Sequence, residues 1–184
     1  QTYTGAVTLG ADVELTAKSA SNELQTVTFN ASIDGDSNSL TIEGNAVFGN
    51  DVNDTVTEVN ELVVSGNAEF NGTVEVASLA VSGTSTINAD ITTTGAQTYT
   101  GAVTLGADVE LTAKDGSDNL QTVIFKASID GAKELTITGN AVFNGTVGAG
   151  TALTSLSVSG TSTINGGSVN TSSTQAYTGA VTLG

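Results

Sequence analysis

The chain has 184 residues, 19 Asp and Glu against 4 Lys and Arg, and no Pro, Cys, Met, Trp or His. The basic residues are all lysines, Lys18, Lys114, Lys126 and Lys133, and four dispersed cations in an acidic chain of net charge −15 argue against nucleic-acid binding. Disulfides and thiolate metal sites are excluded, no apolar run is long enough to cross a bilayer, so no membrane insertion is expected, and the absence of Met reads as a processed or excised piece.

In chain order, residues 1–18 read QTYTGAVTLGADVELTAK and residues 18–23 (KSASNE) read as a loop. Residues 26–33 (TVTFNASI) alternate apolar and polar with the period of two of a half-buried strand. Leu40 then opens LTIEGNAVF, in which Leu40 and Ile42 alternate with polar residues, Gly44 intervenes, and Ala46 and Phe48 alternate again. Two short strands meeting at a glycine corner is the natural reading. The same motif, L-x-[IV]-x-G-[NT]-[AS]-x-[FI], returns at Leu62 and Leu79. From Gln97 to Lys114 the opening segment recurs letter for letter; a second loop (residues 114–119) and strand (residues 122–129) come next, then the motif at Leu135 and Leu156. A third copy opens at Gln175 as QAYTGAVTLG.

Self-similarity of this kind decides the architecture. The chain divides into a first long unit, residues 1–96, a second, residues 97–174, and the start of a third, residues 175–184, all in one array. The units differ in length because the first carries an additional copy of the motif, as stacked coils allow. The expected fold is all-β: a parallel β-helix, or β-solenoid, of about nine coils of roughly 20 residues, a rod about 40 Å long. Small inward residues (Ala46, Ala68, Ser85, Ala141) would let the walls approach, and Phe48, Phe70 and Phe143 would fill the wider part of the cross-section and stack into a ladder.

Little in the sequence offers chemistry. The acidic turns holding Asp34 and Asp36, and Asp51 and Asp54, have the residue types that bind Ca²⁺. The second unit answers the first turn with Asp130-Gly131-Ala132-Lys133 and lacks the other, so solvated turns are the preferred reading and no cofactor is expected. With neither His nor Arg, and no isolated acidic pair, the chain does not read as an enzyme. Ranks of threonine (Thr84-Ser85-Thr86, Thr161-Ser162-Thr163, Ile91-Thr92-Thr93-Thr94) supply an alternative function, a flat Thr/Asn/Asp face binding carbohydrate or ice. Asn45, Asn67 and Asn140 follow the corner glycine and are expected to form a structural amide ladder.

The phrases TGAQTYTGAVTLGADVELTA, FNGTV, LxSLxVSGTSTING and SVNTSSTQAYTGAVTLG resemble the degenerate repeats of filamentous-haemagglutinin-like and autotransporter-type bacterial surface proteins. The resemblance implies a right-handed coil, export to the extracellular cell surface, and a structural or adhesive role in a stalk or fibre for attachment, biofilm or cell contact. It carries no site residues. The expected partners are adjoining solenoid repeats or copies of the chain itself, end to end, because an open solenoid edge pairs readily, with surface glycans as the further candidate.

Overall fold

A computed structural model describes residues 1–184. The chain winds as a parallel β-solenoid with three short strands in each turn, every named strand pairing in parallel with its counterparts one turn before and after. The first face holds Thr2–Tyr3, Thr26–Phe29, Asn45–Phe48, Ala68–Phe70, Ser85–Ile87, Val103–Leu105 and Ile129–Asp130, and continues through single bridges at Val147 and Val169. On the second lie Val7–Thr8, Ile33–Asp34, the start of Val56–Val64 and of Val74–Val81, Ile91–Thr93, Val109–Ala113, Glu134–Thr138, Ser155–Val158 and Gln175–Tyr177. The third carries Val13–Thr16, Leu40–Glu43, the ends of the same two long strands, Gln97–Tyr99, Thr122–Phe125, Asn140–Phe143, Ser162–Ile164 and Val181–Leu183. Each face therefore has nine rungs, as the repeat length predicts.

Period-two patterning places every second side chain inside, where Val, Leu, Ile and Phe form one continuous core along the rod. The turns are unequal in length. On the first face the step from Ala68 to Ser85 is short, and the steps from Thr2 to Thr28 and from Val103 to Ile129 are long. The long turns are those holding the loops expected after Lys18 and Lys114. Each loop is closed by an antiparallel bridge, Lys18 to Leu24 and Lys114 to Leu120, and turns through a left-handed residue, Asn22 at φ 62° and Asp118 at φ 65°.

The long units do not stack on themselves. Tyr3 lies on the first face, its copy Tyr99 on the third, and Tyr177 on the second. With three segments per turn, the first unit spans four and two-thirds turns and the second three and two-thirds, so each begins one face back from its predecessor. Their difference is one whole turn. Residues 49–70 supply it: Phe48 pairs directly with Phe70, and Phe70 is followed by Asn-Gly-Thr-Val as Phe143 is in the second unit.

The expected single aromatic ladder is accordingly two. Tyr3, Phe29, Phe48 and Phe70 stack on the first face with ring centroids 5.0, 5.7 and 5.3 Å apart, whereas Tyr99, Phe125 and Phe143 stack on the third at 5.3 and 5.6 Å. The rings are nearly parallel, and each such pair adds about 0.5–1.5 kcal/mol beyond its burial.

The corner glycines also differ from expectation. Gly44, Gly66, Gly83, Gly139 and Gly160 do not have positive φ. Their reason is close approach: a Cβ on Gly66 would sit 2.5 Å from the Gly44 carbonyl oxygen and from Asn45 Oδ1, and one on Gly83 2.5 Å from Asn67 Oδ1. The stacked backbone leaves no room for a side chain.

Candidate functional site: a corner groove and the polar ladders around it

Most corners turn through Gly or Asn, but the strands Val56–Val64 and Val74–Val81 run unbroken from the second face to the third. They bend through a bulge: Thr57 faces Glu75 and Val59 faces Val76, so Glu58 is the extra residue, at φ 57°. A left-handed φ is uncommon for a side-chain-bearing residue. The chain below makes room for it, since Gly35 packs so close that a Cβ would lie 2.5 Å from the Glu58 carbonyl oxygen, and that oxygen accepts from Ser37 N at 2.8 Å.

The bulge opens a groove of about 590 Å³ across four successive turns, with Ser37, Thr57, Glu58, Asn60, Glu75, Thr92 and Thr94 around it and Val59, Val76 and Ala77 beneath. Both glutamates and Thr92 are exposed, and neither carboxylate nor the Thr92 hydroxyl has a protein hydrogen-bond partner. No basic residue lines the groove. The groove belongs to the first unit alone. Glu58 lies in the additional turn, and the counterpart of Glu75 is Gly148.

The acidic candidates from the sequence occupy two separate corners. Asp34 Oδ1 accepts from the Asp36 backbone N–H at 3.0 Å, and Asp36 is exposed at φ 45°. Asp51 Oδ1 accepts from Asn53 N at 2.9 Å and Asp54 Oδ2 from Asn50 N at 3.0 Å. Three of these four carboxylates thus close their own turns, and nowhere in the structure do three acidic side chains gather within reach of one ion. In the second unit Asp130 instead ties its turn to the next coil, accepting from Gly150 N at 2.7 Å and Thr151 N at 2.9 Å.

The threonine ranks fall on different faces. Thr86 points out from the first face, Thr92 from the second and Thr163 from the third, while Thr93 is buried and donates to the Gly95 carbonyl at 2.7 Å. Ser85 and Ser162 point inward without a hydrogen-bond partner. The rotation of the units is the cause: equal phrases in successive units cannot share a face.

The expected amide ladder is instead a set of side chain-to-backbone rungs, and Asn140 stands on the third face, apart from Asn45 and Asn67 on the first. Asn45 Oδ1 accepts from Asn67 N, Asn67 Oδ1 from Thr84 N and Asn140 Oδ1 from Thr161 N, each at 2.9 Å. A second ladder, not anticipated, follows the inward Phe or Ile: Asn88 Nδ2 donates to Asn71 Oδ1 at 2.7 Å, and Asn165 Nδ2 to Asn144 Oδ1 at 2.8 Å. The F-N-G and I-N phrases are its only signal in the sequence. A third set of rung-to-rung bonds uses acids, with Asp12, Asp90 and Asp108 accepting from Ser39 N, Glu110 N and Glu134 N at 2.8, 2.8 and 2.9 Å.

Inside the rod, Gln97 is fully buried and satisfied at both ends. Its Oε1 accepts from Tyr99 OH at 3.0 Å, and its Nε2 donates to Thr112 O at 2.8 Å and Ile91 O at 3.2 Å. The same Gln-x-Tyr pair recurs as Gln1 with Tyr3 and Gln175 with Tyr177. Burial pushes the Tyr99 hydroxyl far above the usual tyrosine range and raises Tyr177. On the surface, hydrogen bonds from the Asn119 side chain and backbone hold Asp115 below the usual carboxylate range, and Asp118, hydrogen-bonded to Lys114, raises that lysine. Comparison with protein-family models, with curated proteins and with solved structures finds no match.

Proposed function

We propose that the chain is a non-catalytic structural repeat segment of an extracellular, cell-surface fibre, in which a stiff rod of fixed cross-section is the useful property. The observation that carries this reading is the uninterrupted parallel pairing of nine rungs on one continuous core. Pairing along the axis makes length extensible by whole turns, as the additional turn of residues 49–70 illustrates. The sequence resemblance to bacterial surface repeats supports the same role. Because rungs pair along the axis, adjoining repeats or a second copy would extend the same parallel ladder.

Electron microscopy of the purified chain at low and high concentration tests this. Straight, unbranched rods of one width are expected, at about 40 Å or at multiples of that length when copies stack. Compact round particles would overturn the reading.

A further inference from the structure

We propose that the groove at the corner between the second and third faces binds a short stretch of a neutral, hydroxyl-rich glycan chain. The inference is independent of the rod's role as a spacer, since a spacer needs no groove.

Glu58 and Glu75 present acceptor-only carboxylates, and Ser37, Thr57, Thr92 and Thr94 present hydroxyls that both donate and accept. The Asn60 side chain adds a donor and an acceptor. Bonds within the protein leave most of this capacity free. The closest contacts of Thr57 Oγ1, Thr94 Oγ1 and Asn60 Nδ2 are long, each 3.5 Å, and those of the carboxylates and Thr92 are absent. A polyol matches such a surface because each ligand hydroxyl donates to one group and accepts from the next. Bonds to an ionised carboxylate are the strong members of the set.

Charge and shape narrow the class. Two carboxylates with no lysine beside them, on a chain of net charge −15, repel phosphate, sulfate and uronate. A bare metal ion finds only two carboxylates here and no third acid. Half-buried Ala77, with Val59 and Val76 buried behind it, gives the groove a small apolar floor for a sugar C–H face, and 590 Å³ lies within the range of small-ligand sites. The backbone beneath is fixed by ladder bonds, such as Asn60 N to Asn38 O at 2.9 Å and Gly95 N to Ala77 O at 2.7 Å, so the polar groups are pre-positioned. Moreover, the bulge and both glutamates occur only in the unit with the additional turn, whereas a purely architectural feature would recur with the repeat.

The test is calorimetric titration of the full chain with neutral tetrasaccharides of glucose, mannose and galactose, and separately with a tetragalacturonate, spermidine and CaCl₂. At least one neutral sugar is expected to bind, and the Glu75→Gln/Thr92→Val variant should bind it at least about tenfold more weakly, the scale of losing one charge-assisted hydrogen bond. Both side chains are exposed and unpartnered, so the variant should retain the parent's melting temperature. No binding by any neutral sugar, binding confined to the acidic sugar, the polyamine or Ca²⁺, or equal binding by parent and variant would each overturn the proposal.

Discussion

Gln97 and Tyr99 show how one polar pair is held inside an otherwise apolar rod. Burial alone would penalise both, yet the amide takes the phenol proton on one side and gives its own N–H groups to carbonyls of neighbouring strands. The pair is sensitive to alkali. In the unfolded chain tyrosine ionises near pH 10, whereas in the fold Tyr99 is held protonated well above that, so stability is fully present below about pH 10 and falls as pH rises beyond it. Thermal melts should show a drop in melting temperature above pH 10 that is smaller in Tyr99→Phe. That variant should also lose about 1–3 kcal/mol at neutral pH, because Gln97 Oε1 is left buried without its donor. The corner glycines are a second test at this scale. Gly66→Ala forces a Cβ into the Gly44 carbonyl, and a cost of about 1–3 kcal/mol in denaturant unfolding is expected. The motif marks these glycines as corners but suggests backbone freedom as the cause; the true cause, stacked carbonyls and amides from another turn, is a tertiary contact that no local pattern reveals.

At the level of strands and turns, alternation in the segments around Phe29, Leu40 and Phe48 is enough to place strands, and the two long loops are visible as breaks in that alternation. The groove is not legible. Its two decisive events, the bulge at Glu58 and the close approach of Gly35, depend on strands distant in sequence lying side by side. The surface threonines mislead for the same reason, because their faces are set by the cumulative number of turns between them. The turn itself is a modular element. Excising residues 49–70 joins Phe48 to Asn71, a junction the second unit already uses between Phe143 and Asn144, and removes one whole turn without changing the phase of the later strands. The shortened chain is expected to unfold cooperatively with a proportionately smaller urea m-value. Removing only residues 74–81 should instead abolish the cooperative transition, since two faces would lose their rung at once.

For the whole molecule, the defining property is that each long unit retreats by one face. Internal comparison of the sequence shows two long units of unequal length but cannot show that both fall one-third of a turn short of a whole number. That remainder has a consequence for a longer array built on the same rule: any feature tied to the repeat, such as the loops after Lys18 and Lys114, returns to the same side only every third unit. Loops would then wind around the rod instead of crowding one edge. The chain has no native cysteine, so the phase is open to a direct test by oxidative cross-linking. Strand neighbours lie within the Cα spacing that a disulfide accepts. With each unit stepped by one face, Ala80→Cys and Thr98→Cys project outward from adjacent rungs of the third face and should link readily, whereas Thr86→Cys and Thr98→Cys lie on different faces and should not. Efficient linking of the Thr86 and Thr98 pair, with none between positions 80 and 98, would contradict the stepped arrangement.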